Sequence, residues 1–82
     1  MYRIVFTQKA FKDLEQLDER TKLRIGKKIK EYAKDPFRHG RKLTDPKIGT
    51  YRFRIGNCRV IFDISDEDIV ILRVGHRRNV YK

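Results

Sequence analysis

The residues of this chain best suited to chemistry are arginines set at strand spacing. In the stretch Tyr51-Arg52-Phe53-Arg54-Ile55-Gly56-Asn57-Cys58-Arg59-Val60-Ile61, two alternating runs meet at a Gly-Asn turn. Successive side chains of a strand point to opposite faces. Tyr51, Phe53 and Ile55 therefore share one face with Cys58, Val60, Phe62 and Ile64, while Arg52, Arg54 and Arg59 share the other with Arg73 of the next run. A guanidinium is a rigid planar fork of donors that stays protonated at any physiological pH. Four of them on one face repel one another unless an anion joins them, so the pattern predicts a phosphate-binding surface backed by an apolar core. The tail Arg73-Val74-Gly75-His76-Arg77-Arg78-Asn79-Val80-Tyr81 adds a second constellation. Arginine holds its proton too tightly to act as a general base. The plain reading of His76 is a tail residue bonded to backbone. His39, in a loop beside Gly40, reads as inert.

Other site chemistries are poorly represented. Cys58 is the sole cysteine, and on the apolar face of a strand it reads as a small buried hydrophobe rather than a nucleophile or ligand. No zinc-type spacing exists, and neither a metal nor a cofactor is expected. The 82 residues carry 21 Lys+Arg against 11 Asp+Glu, a net charge of +10. Such a balance fits nucleic acid, an acidic protein partner or an anionic membrane surface. No apolar run approaches the roughly 20 residues of a membrane span, and no signal peptide is visible, so a soluble cytoplasmic protein is expected. Charge is also placed unevenly. Residues 46–62 and 69–82 contain no Asp or Glu, whereas Asp63, Asp66, Glu67 and Asp68 cluster at one end of the last hairpin. The opposite end, with Gly56-Asn57 and the tail, should attract a polyanion over a Debye length of about 8 Å. Lys22, Lys27, Lys28, Lys30 and Lys34 read instead as the solvated face of a helix.

These residues need a scaffold, and the periodicity supplies one. Residues 1–6 alternate as a first strand, with Tyr2, Ile4 and Phe6 on one face. Thr7 is a plausible N-cap for a helix to about Leu17, with Ala10, Phe11, Leu14 and Leu17 as its stripe. Asp18-Glu19 breaks the chain and gives an acidic start to a second helix, from about Arg20 to Lys34, whose buried face is Ile25, Ile29, Tyr32 and Ala33. Asp35-Pro36 ends it. Residues 37–49 read as loop, with a short strand around Arg41 to Leu43 left open. Strands follow at about Thr50–Gly56, Cys58–Ile64 and Asp68–Gly75, the last two joined by the turn Ser65-Asp66-Glu67. With no repeat or linker, residues 1–82 are expected to form a single domain. The fold expected is α+β, β-α-α-β-β-β with one optional short strand, its helix hairpin packed on one face of a mainly antiparallel twisted sheet. Tyr2, Ile4, Phe6, Phe11, Leu14, Ile25, Ile29, Phe53, Val60, Phe62, Val70 and Leu72 should form the core.

The order strand, helix hairpin, Tyr-Arg-Phe-Arg-Ile-Gly-Asn-Cys-Arg hairpin, then a last strand ending in Val-Gly-His-Arg-Arg-Asn-Val-Tyr, resembles the RelE/ParE superfamily of toxins from toxin–antitoxin pairs. The resemblance covers essentially the whole chain, including the Asp-Pro-Phe after the second helix. It implies that the last strand lies beside the first. It also implies a RelE-type endoribonuclease that enters the ribosomal A site and cuts messenger RNA by 2′-hydroxyl attack on the adjacent phosphorus. The family's basic pair falls on Arg52 and Arg54, its following-strand arginine on Arg59, its tail arginine on Arg77 and its tail tyrosine on Tyr81. Arg73 and Arg78 would add phosphate contacts. Tyr81 would stack on a base or assist proton transfer, or else anchor the tail on the sheet. The implied partners are the ribosome, messenger RNA and an acidic, partly disordered RelB-like antitoxin in a hetero-oligomer. Positions 52 and 54, which can be lysine in the family, are arginine here, so the resemblance implies either that His76 takes the 2′-hydroxyl proton or that the reaction proceeds largely by electrostatic stabilisation. A ParE-like poison of DNA gyrase and an inactive homologue that only binds nucleic acid or antitoxin share the same scaffold.

Overall fold

The structure, a computed structural model, describes residues 2–44 and 49–80. The elements are β1 (Arg3–Phe6), α1 (Gln8–Glu15), α2 (Glu19–Tyr32), α3 (Pro36–His39), β2 (Arg41–Lys42), β3 (Tyr51–Ile55), β4 (Cys58–Ser65) and β5 (Asp68–His76). The strands form one sheet in the order β1-β5-β4-β3-β2. The expected α+β order holds, with β1 lying parallel to β5 and every other pairing antiparallel. Residues of α1 and α2 meet the sheet in a common core of Ala10, Ile25, Ile29, Ala33, Phe53, Ile55, Val60, Phe62, Ile69, Ile71 and Val74.

Local sequence explains the boundaries. Thr7 caps α1, its Oγ accepting from the Ala10 amide at 3.1 Å, and Asp18 caps α2 by accepting from the Thr21 amide at 3.3 Å. A hydrogen bond from the Thr21 side chain, with the amide bond adding to it, holds the Asp18 carboxyl below its ordinary pKa. Each cap satisfies an amide that has no intrahelical partner. Pro36 does more than end the preceding helix: at the first turn its missing N–H costs nothing, and it starts the short α3. The His39 ring then stacks on Tyr32 at 4.3 Å between centroids. The optional strand exists as β2, a two-residue edge paired to β3.

Aromatic packing fixes β3 and β4. Tyr51 lies directly opposite Phe62, their rings stacked at 5.6 Å, and Phe53 stacks on Phe62 at 4.2 Å. Cross-strand pairs of this kind stabilise a sheet beyond simple burial.

The expected core is corrected in two places. Val70 and Leu72 are only half-buried, and Ile69 and Ile71 occupy the core instead. The cause is a β-bulge. Phe62 pairs with Ile71 while Ile61 pairs with Arg73, so Leu72 is an extra residue that shifts the alternation along β5. Phe6 and Phe11 are 36% and 57% exposed. α1 faces the core with Ala10 and Leu14, followed just past its end by Leu17, and leaves Phe11 on its rim. Beyond the helix-covered core, Ile61 and Val80 are also buried. Gly49 lies over Ile61, where a Cβ would come within 2.6 Å of the Ile61 side chain and 2.9 Å of Leu72. The end of that loop is tied down by the Thr50 amide, which donates to Asp63 Oδ1 at 2.7 Å.

The bulge makes a measurable prediction. Ile71→Ala should cost about 2–5 kcal/mol in urea unfolding, whereas Val70→Thr should cost about 1 kcal/mol or less. Equal losses would mean that the alternation runs unbroken along β5.

Candidate nucleic-acid interface

Burial of Phe53 and Ile55 turns Arg52 and Arg54 to the opposite face of β3. The register then sets arginine against arginine. Arg41 lies directly opposite Arg52, and Arg54 directly opposite Arg59. Directly opposed residues of an antiparallel pair have Cβ atoms only about 4.5–5.5 Å apart, and like charges there destabilise the sheet. Two adjacent rows of a small sheet each carry such a pair. Arg41 and Arg54 are exposed and Arg52 is half-exposed.

Arg59 is the exception, being only 7% exposed. Its Nη1 donates to the carbonyls of Gly56 at 3.0 Å and of Cys58 at 2.8 Å. These bonds fold the side chain back on the β3–β4 turn. Its neighbour across β5 is Gly75, against which Val80 of the tail packs: a Cβ on Gly75 would lie 3.9 Å from that of Val80. The tail therefore crosses the sheet beside Arg59.

The tail returns to the same turn. The Arg77 amide donates to the Asn57 carbonyl at 2.9 Å, and the amides of Asn79 and Val80 both donate to the His76 carbonyl. Asn57, His76, Arg77, Arg78 and Asn79 line an open cleft of about 270 Å³. His76, Arg77 and Arg78 are exposed. The register puts His76 in the row of Cys58, on the face opposite Arg54 and Arg59. Its place is at the rim of the basic surface rather than within the arginine rows. Tyr81 lies outside the described residues.

Arg73 has a different environment. Its Nε donates to Asp13 Oδ2 at 2.8 Å, and the same oxygen accepts the Val74 amide at 3.0 Å. Both side chains are at most one-fifth exposed. β1 stops pairing at Ile71, so this amide faces an unpaired edge, and the Asp13 carboxylate of α1 serves in place of a strand. Arg73 thus anchors α1 to β5.

Cys58 behaves as its position suggests. Burial pushes its thiol pKa up, more than the positive charges of Arg24 and Arg59 pull it down, while Asp18 adds to the rise. A thiol so placed stays protonated and unreactive. The described residues hold no cluster of His, Cys, Asp and Glu able to bind a metal, and no helix among them is long and apolar enough to cross a membrane.

Sequence reasoning missed Arg41, whose place in the array depends on a two-residue strand that alternation cannot reveal. It also missed Asp13, whose role follows from where β1 ends.

Comparisons with known proteins agree with this architecture. A family model described as the ParE toxin of the type II toxin–antitoxin system, parDE, matches residues 4–81. Toxin RelG of Mycobacterium tuberculosis is 33% identical over 84 residues, spanning 99% of this chain and 97% of that relative. The RelBE2 toxin–antitoxin complex of the same organism contains a chain that superposes with a TM-score of 0.83 at 33% identity, covering 93% of this chain and 98% of its own. A chain of the archaeal RelE–RelB complex from Pyrococcus horikoshii has the same fold, with a TM-score of 0.75 at 24% identity, covering 96% of this chain and 98% of its own.

Removing the Asp13 carboxylate should loosen α1 from β5. Asp13→Ala is expected to cost about 1.5–3 kcal/mol, the range for hydrogen bonds to a charged group, and amide exchange at Val74 should accelerate more than at Val60. Uniform acceleration at both amides would show that the carboxylate does not act at this edge.

Proposed function

This chain belongs to the RelE/ParE superfamily of toxins from type II toxin–antitoxin systems, and we propose that it is a ribosome-dependent endoribonuclease that cuts messenger RNA in the ribosomal A site. The observation that carries the reading is the pair of opposed arginine rows, Arg41–Arg52 and Arg54–Arg59. A sheet tolerates such repulsion when a polyanion relieves it, and a phosphate backbone supplies charges at the required density.

The chemistry follows from the groups present. The messenger's own 2′-hydroxyl attacks the adjacent phosphorus, the P–O5′ bond breaks, and the products are a 2′,3′-cyclic phosphate and a 5′-hydroxyl. Negative charge builds on the non-bridging oxygens during the attack. Guanidinium groups already fixed in place stabilise it without reorganising. In this reading Arg59 and Arg77 stabilise the phosphoryl oxygens, and Arg52, Arg54 and Arg78 position the strand. Arg73, committed to Asp13, contributes through the position of β5. His76 takes the 2′-hydroxyl proton from the rim of the site, and Tyr81 stacks on a base.

The physiological partner is a RelB-like antitoxin, as in the toxin–antitoxin complexes of the relatives. A +10 chain is complemented by a partner with acidic and apolar segments. Leu23, Phe37 and Phe11, each more than half exposed, offer apolar anchors. The ParE description of the matching family model favours a second reading, a protein that poisons DNA gyrase and uses the arginine face to bind protein.

Arg59→Ala and Arg77→Ala should each lower single-turnover cleavage on programmed ribosomes roughly 100- to 1000-fold, as for loss of a preorganised charge-stabilising donor. His76→Ala should slow cleavage with ribosome affinity unchanged; a wild-type rate would remove it from the mechanism. Intact messenger together with blocked supercoiling by gyrase would instead establish the second reading. Binding of the cognate antitoxin should raise the melting temperature in proportion to the logarithm of its concentration above Kd, and an unchanged melting temperature would count against the antitoxin assignment.

A further inference from the structure

The geometry points to Arg24 of α2 as a further phosphate-binding residue, one that carries the nucleic-acid surface round the β3–β4 turn onto the helical side of the protein. The inference rests on the nucleic-acid reading of the arginine face and extends it to a residue that neither alternation nor helical periodicity singles out.

Gly56 has φ 58°, and a Cβ there would lie 3.0 Å from both terminal nitrogens of Arg24 and 3.2 Å from its Cζ. The two terminal nitrogens lie nearer that position than Cζ does, so the group meets the turn at a slant, with its terminal end over the glycine. Guanidinium donors point outward in the plane of the group. Although its terminal end rests against the glycine, Arg24 is exposed, and donors remain open to solvent. Among the described residues it makes no hydrogen bond or ion pair. Packing thus orients the side chain while its donors stay unspent, which lowers the conformational entropy lost when an anion binds.

The charge around it supports an anionic ligand. Arg24 rests against Gly56 and Arg59 donates to the Gly56 carbonyl, so two guanidinium groups meet at one turn. Asp18 is the acid that acts on the Cys58 thiol, and its carboxylate is already engaged by the Thr21 amide. Arg20 and Lys27, four residues before and three after Arg24, continue the basic stripe along one side of α2. A single strand lying on Arg52 and Arg54 and passing the turn would meet the Arg24 fork next.

The experiment is a salt titration of binding to a labelled single-stranded oligouridylate, followed by anisotropy, for wild type, Arg24→Gln, Arg24→Lys and Arg54→Ala. Arg24→Gln should lower the slope of log K against log salt by about 0.7, one phosphate contact on a single strand. Arg24→Lys, which keeps the charge, should retain most of the slope, and its melting temperature separates charge from packing on Gly56. A wild-type slope for Arg24→Gln beside a reduced slope for Arg54→Ala would overturn this inference and leave the arginine face intact. Wild-type slopes for both would overturn the nucleic-acid reading itself. An Arg24→Gln variant with unchanged RNA binding but weakened antitoxin affinity would reassign the residue to a protein contact and overturn it equally.

Discussion

Alternation along β3 is the constraint on which the molecule is built. Phe53 is fully buried, stacked on Phe62 and in contact with the Tyr32 ring, and no other placement of the strand keeps it out of water. Its two neighbours in sequence are then forced outward. The register with β2 and β4 brings Arg41 and Arg59 against them. The charged face is thus a consequence of the apolar one, sustained by core packing against repulsion that would otherwise splay the strands.

The same dependence explains what could be read from the sequence. β3 and β4 alternate cleanly between turn residues, so their faces and the Gly56-Asn57 turn follow from local chemistry alone. The helix caps at Thr7 and Asp18 were legible for the same reason, since each satisfies amides within three residues. β5 was not legible in this way. Ile69-Val70-Ile71-Leu72 is apolar on both faces, and the extra residue at Leu72 leaves no trace in the composition. Arg73 looked like a member of the arginine face because its fate depends on Asp13, a residue 60 positions away. Phe11 belongs to a helical stripe wider than the surface available to cover it. Arg24 and Arg41 escaped because one is placed by its approach to a glycine and the other by a strand of two residues.

Charge and burial divide the arginines into distinct types. Arg73 is neutralised and structural, Arg59 is held by carbonyls, and Arg24, Arg41 and Arg54 are exposed. Carbonyl oxygens can orient a guanidinium without cancelling its charge, whereas a carboxylate does both. Among the described residues, the carboxylate hydrogen-bonded to Arg73 is Asp13 of α1, and Asp63 is turned to the Thr50 amide. This division keeps the positive potential on the side where a phosphate chain would lie.

The parallel pairing of β1 with β5 has a consequence for how the protein comes into being. Arg3 is joined to Asp68 both through the ladder and by an ion pair of 2.8 Å, across a sequence separation of 65 residues. β1 must wait for β5 to emerge before its amides find partners. Contacts of such long separation close late and slowly. Helices α1 and α2 can form from their own caps in the interval, but the face that carries the arginines stays incomplete until β5 supplies Ile69 and Ile71 behind it. The basic surface is therefore finished only after β5 has left the ribosome, the very particle on which the protein is proposed to act.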